Sequence, residues 1–155
     1  VINTAAVRNI DLITKIANRF GSQCIVGSIE AKRNGSGTWG VYVDNGREPT
    51  GMDVATWCQS LEAAGVGEIL LTSVDQEGTQ RGFDIALVAQ VHALTSRPII
   101  VSGGYGKPHD LHSLLQTVVP SAVAFASTLH YNKTRPEELS ALMSAALMPG
   151  YGEDP

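Results

Sequence analysis

At 155 residues the chain is the size of one domain, and with 43% hydrophobic residues it has ample material for a core. A net charge of −4 and a charged fraction of 17% exclude a basic nucleic-acid-binding surface and an acidic tail. No apolar run approaches the roughly 20 residues of a membrane span, and no signal-peptide pattern opens the chain. Its two cysteines, Cys24 and Cys58, read as free thiols buried in a strand and a helix of a cytoplasmic protein.

In chain order, Val1–Asn3 reads as the end of a strand whose beginning is missing, since strands usually need about five or six residues. Asn9 is the expected cap of a helix over Ile10–Phe20, stopped by Gly21. A strand is predicted over Gln23–Ile29, delivering Glu30 to its C-terminal end. Residues 31–50 are too many for a plain connection. The alternation in Gly40–Val43 and the Asn34-Gly35 and Asn45-Gly46 turns predict a small hairpin there. Thr50 and Asp53 resemble a capping box ahead of a helix that runs to Ala64 and stops at Gly65.

Glu68–Ser73 is a short apolar run, as in a strand buried on both faces. It ends in two hydroxyls, Thr72 and Ser73, and a polar loop carries Asp75, Glu77, Gly78, Thr79 and Gly82. Asp84 opens the next helix, which reaches Thr95. Pro98–Ser102 is a further buried strand, ending in Gly103-Gly104-Tyr105-Gly106. A helix follows over Pro108–Gln116, then a strand over Ala122–Ala126, Ser127-Thr128, and a helix over Glu137–Leu147. A single domain is expected to span residues 1–148, with a flexible tail over 149–155.

The pattern is an α/β fold of βα units with parallel strands. The suspicious polar groups, Asn3, Glu30, Ser73, Glu77, Ser102 and Ser127, all follow strand C-terminal ends, the face where such folds bind ligands. A barrel-like sheet is favoured over a doubly wound one. Gly103-Gly104 and Ser127 follow the last two strands, where barrels bind phosphate, and no GxGxxG opens a first βα turn.

Several residues read two ways. Glu30 is either a general acid or base or the ion-pair partner of Lys32 or Arg33. Gly103, Gly104 and Ser127 hold phosphate through backbone N–H groups, or simply make turns. Thr72 and Ser102 orient a substrate or are hydroxyls satisfied inside the sheet. Asp75 and Glu77 contact a ligand or cap the next helix. His109 and His112, three apart on a surface helix, lack a third ligand and make a weak metal signal. No metal or cofactor is expected.

The segments INTAAV (Ile2–Val7), RFGSQCIV (Arg19–Val26), IEAKR (Ile29–Arg33), PTG (Pro49–Gly51), GEILLTSVDQEGT (Gly67–Thr79), SGGYG (Ser102–Gly106) and FASTLHY (Phe125–Tyr131) together resemble one family. It is the cyclase subunit of imidazole glycerol phosphate synthase, a (β/α)8 barrel of histidine biosynthesis. The resemblance covers the second half of that barrel, from the end of the fourth strand through the eighth helix. It implies ring closure on a bisphosphate substrate with ammonia from a glutaminase partner. The family's acid–base pair is two aspartates; the one on the fifth strand corresponds to Glu30, one methylene longer. Misplacement on that scale can cost on the order of a hundredfold in rate. The resemblance places phosphate at Gly103, Gly104, Ala126 and Ser127, with Asn3 and Thr4 keeping part of a second subsite. Thr72, Glu77, Gly78 and Ser102 are the candidate substrate contacts, and Glu77 stands where the family usually has Asp. Glu68 resembles a residue near the family's ammonia entrance.

Four βα units cannot close a barrel. A (βα)4 half of a TIM-type barrel would expose strand edges and an apolar face, so the expectation is a homodimer or higher homo-oligomer. Two-fold pairing would place one Glu30 from each chain at the two acid–base positions, although the Val1–Asn3 stub competes for the partner strand's slot. The rival readings are a vestigial module that holds a phosphorylated metabolite without turnover, and an excised or designed half-barrel.

Overall fold

A computed structural model describes residues 1–147 of the protein; the tail expected over 149–155 lies outside the described residues. The chain runs α1 (Thr4–Arg8), α2 (Asp11–Phe20), β1 (Val26–Arg33), β2 (Trp39–Val43), β3 (Glu48–Asp53), α3 (Val54–Ala64), β4 (Glu68–Ser73), α4 (Ile85–Leu94), β5 (Ile99–Ser102), α5 (Pro108–Thr117), β6 (Ala122–Ala124), α6 (Ser127–His130) and α7 (Pro136–Leu147).

Helix starts follow side-chain acceptors. Asp53 accepts the Ala55 and Thr56 N–H groups and so opens α3, while Asp84 accepts the Leu87 N–H and opens α4. Asp110 reaches back to the Gly106 and Lys107 N–H groups, both at 3.0 Å, at the start of α5. Thr50 is not part of a capping box: its hydroxyl donates to the Val41 carbonyl and holds β3 against β2. Asn9 accepts the Asp11 N–H, but Ile10 stands at the N-cap position.

The six strands form one sheet in the order β3-β2-β1-β4-β5-β6. The four strands β1, β4, β5 and β6 are parallel and stand in chain order, with no point at which the order reverses. Helices contact one another in chain order too, α2 on α3, α3 on α4, α4 on α5, α5 on α7. This is a barrel wall rather than a doubly wound sheet: half of a TIM-type barrel, with β2 and β3 as an antiparallel hairpin on one edge.

Register sorts the side chains into two faces. Ile29, Ala31, Ile69, Leu71, Ile99 and Val101 are buried beneath the helices, with Leu61, Leu87, Leu111 and Leu114 across from them. The other face carries two rows across the strands. Ser28, Leu70, Ile100 and Ala122 are in register, and so are Glu30, Thr72, Ser102 and Ala124. Except for Ser28, none of these is fully buried within the chain.

The last strand stops at Ala124 instead of Ala126, and β1 departs from the sequence expectation at both ends. Ser22–Cys24 is a 3₁₀ turn, which leaves Cys24 exposed, and β1 begins at Val26. The strand then continues through Arg33, because β2 pairs with Glu30–Arg33 and extends the ladder. Glu30 is therefore within the strand, not at its end. Cys58 is buried, and burial, with the charge of Glu62 adding, pushes its thiol up to about 11. Both cysteines are free.

Candidate functional site

The C-terminal ends of β4, β5 and β6 gather most of the sequence-predicted site residues. Glu77, Ser102, Gly103, Gly104, Ala126 and Ser127 line one shallow crevice between the loops. Tyr105 and Phe125 also line it, their rings edge to face at 4.9 Å. Burial raises the Tyr105 hydroxyl above its ordinary 10.

Two glycines build the crevice. Gly103 has φ +93°, and a Cβ there would sit 2.9 Å from the Ser73 carbonyl oxygen. Gly104 has φ +109°, and its Cβ would collide with the Gly82 carbonyl oxygen. The loop after β5 thus lies backbone to backbone on the loop after β4, joined by the Gly82 N–H donating to the Gly104 carbonyl at 2.9 Å. Gly103 and Gly104 are buried, and neither N–H has an acceptor among the described residues. Buried backbone donors are nearly always paired, so this pair can take an anion. Glu77 lies against the same loop, its Oε2 3.2 Å from the position a Gly103 Cβ would occupy.

Glu30 belongs to the same face. It is in register with Thr72, which is in register with Ser102. Two strand spacings, about 10 Å, separate Glu30 from Ser102. No ion pair to Lys32 or Arg33 forms: Lys32 Nζ lies 5.6 Å from the Tyr42 ring centroid, and Arg33 faces Asp84. Instead, Glu30 Oε2 accepts the Gly46 N–H at 2.7 Å.

Asn3 flanks β1 on its other side, where the preceding Ile2 bridges Gly27. The Asn3 Nδ2 donates to the Tyr42 carbonyl at 3.5 Å, while its Oδ1 is buried without a partner. Thr4 opens α1 beside it. Gly78 stands apart, exposed on its loop with nothing within 4 Å of where its Cβ would be. Glu68 is at the opposite end of β4, across from Val26. Among the described residues no group of three or more His, Cys, Asp or Glu side chains could hold a metal, and no helix there is long and apolar enough to cross a membrane.

Sequence reasoning missed the residues that hold the loops. Asp75 caps no helix; its Oδ2 accepts the Arg33 N–H at 2.7 Å. Asp84 accepts the Trp39 indole N–H at 2.9 Å and lies 3.6 Å from the Arg33 guanidinium, which stacks 4.7 Å from the Trp39 ring centroid. This clasp ties the hairpin to the loop that bears Glu77. The signal was present as a lone tryptophan in a polar hairpin, but its partner is 45 residues away.

Comparison with known proteins agrees with this fold. The sequence model of the family described as histidine biosynthesis protein matches residues 1–135. The chain is similar to imidazole glycerol phosphate synthase subunit HisF of Legionella pneumophila, 62% identical over 106 residues, which covers 68% of this chain and 50% of that protein. HisF of Prochlorococcus marinus strain MIT 9312 is 43% identical over 150 residues, covering 96% of this chain and 59% of that protein. HisF of Dehalococcoides mccartyi strain 195 is 43% identical over 148 residues, or 96% and 58%. The chain therefore spans between 50% and 59% of the length of these relatives.

Proposed function

The chain belongs to the histidine biosynthesis protein family, as a half-barrel relative of the imidazole glycerol phosphate synthase cyclase, and from this we propose that its strand-end rim binds a phosphate ester and serves ring closure with ammonia. The observation that carries the reading is the pair of buried, unpaired N–H groups at Gly103 and Gly104. Backbone donors of that kind hold phosphate without selecting for the rest of the molecule. Ser127 and Ala126, at the start of α6, complete the anion's surroundings.

The rest of the substrate lies along the row Ser102–Thr72–Glu30. Asn3 and Thr4 flank the far side of β1, about three strand spacings, or roughly 14 Å, from the crevice. That separation suits an extended molecule with a phosphate at each end. Ring closure requires a proton to leave the attacking nitrogen and another to reach the departing oxygen. A carboxylate that alternates between base and acid does both, and Glu30 is the carboxylate facing that row. Glu77 reaches the same space from the loop after β4 and is the acceptor for a substrate N–H or hydroxyl.

Ammonia comes from a glutaminase subunit in this reading, and the protein works in the cytoplasm. The inner face carries Leu70 and Ile100 half-covered, and a second copy of the chain closes it into an eight-stranded barrel. That pairing must displace Ile2, whose N–H donates to Val26 and whose carbonyl accepts from Ser28, both at 2.9 Å. Light scattering is expected to give twice 16.4 kDa; a monomer sinks the homodimer.

The test of function is turnover of the bisphosphate substrate with ammonia supplied directly, with Glu30→Gln as control. Loss of at least about a hundredfold in kcat on that substitution supports acid–base catalysis. Phosphate binding with no turnover by the unaltered protein makes it a holding module instead.

A further inference from the structure

The Gly46 N–H is buried and has one partner, the Glu30 carboxylate, at 2.7 Å. The turn that presents it is unusual. Asp44, Asn45 and Gly46 have φ of 53°, 57° and 74°, three left-handed residues in succession, closed by the Arg47 N–H donating to the Val43 carbonyl. Side chains disfavour that region. The turn is also wedged in place: a Cβ on Gly46 would lie 2.7 and 2.9 Å from the two Val74 methyl carbons. Val74 in turn donates its N–H to Ala31 at 2.8 Å, and it leads into the loop that carries Glu77. Gly46 is thus the contact between the hairpin, the residue after β4 and the carboxylate of β1.

We infer that the Asp44–Arg47 turn is a positioning element for Glu30, with the Gly46 N–H fixing the carboxylate in one orientation. The inference rests on the acid–base role proposed for Glu30. Oε2 is held by Gly46, and Oε1, which has no partner among the described residues, is the oxygen assigned to proton transfer. The side chain's length is matched to this arrangement. An aspartate at position 30, one methylene shorter, would end about 1.5 Å short of the Gly46 N–H. The hairpin and the glutamate therefore function as a pair, and a longer carboxylate is held in place instead of being left to swing.

Amide hydrogen exchange tests the tether without requiring turnover. In the full chain, the Gly46 amide is expected to exchange at least about tenfold faster in Glu30→Ala and Glu30→Asp than in the unaltered protein. Glu30→Gln, which keeps an acceptor oxygen, should retain part of the protection. Equal exchange in the unaltered protein and Glu30→Ala overturns the inference.

Kinetics test the consequence. Gly46→Ala should lower kcat with little effect on KM when residue 30 is Glu, and should add no further loss when residue 30 is Asp. Thermal melts should fall equally in both backgrounds, since the clash with Val74 is the same. An equal kcat loss in both backgrounds assigns Gly46 a purely structural role and overturns the proposal. Undiminished turnover in Glu30→Gln refutes the acid–base role of Glu30 instead, and the exchange rates then still decide whether the tether exists.

Discussion

Glu62 shows how much a single carboxylate depends on its neighbours. The Ser96 hydroxyl donates to Glu62 Oε1 at 2.6 Å, and Arg97 stands 3.6 Å from the same oxygen. The Ser96 hydroxyl above all, with help from Thr95 and against the cost of burial, holds the Glu62 carboxyl below its ordinary 4.5. A carboxyl with a lowered folded pKa adds stability that is fully present above its unfolded pKa and lost as pH falls through the folded value. Glu62→Gln should therefore melt at a lower temperature than the unaltered protein at pH 7. The gap should close as the melts are repeated below about pH 4.5. A gap that persists at acid pH would mean that shape, not charge, makes the contact. The sequence did not show this pairing, because Glu62 and Ser96 meet only where the ends of α3 and α4 converge.

Between elements, the closest fit is the loop after β5 on the loop after β4. Gly104→Ala should cost at least about 2 kcal/mol in urea unfolding, since its positive φ and the Gly82 carbonyl both oppose a Cβ. A loss under about 0.5 kcal/mol would mean that the two loops do not depend on that approach. β4, β5 and α3 were legible in the sequence because each is bounded locally, by length, by Asp53 or by Gly65. β1 was placed too early because its C-terminal half owes its extension to pairing with β2, which no local pattern encodes. The helices α1 and α6 are five and four residues long, too short for helical periodicity to register. Gly103, Gly104 and Ser127 were named as candidates through motif and position after a strand, and they line one crevice. Gly46 was read only as a turn, since its role appears when the turn folds back onto Glu30.

At the scale of the whole molecule, the parallel strands in chain order and the row Glu30–Thr72–Ser102 give the sheet a working face. That row could not be read from sequence, because register is a property of pairing rather than of any one strand. The same face carries Leu70 and Ile100, apolar residues that a closed barrel would cover. The rim carries the family's polar motifs, and the glycine pair is the proposed anion site. The most direct measurement is a titration of the 15N-labelled chain with inorganic phosphate, followed by amide NMR. Saturable shifts confined to Gly103, Gly104, Ala126 and Ser127 and their immediate neighbours are the predicted result. Amides that stay still at those positions, or shifts spread evenly over the surface, would contradict it.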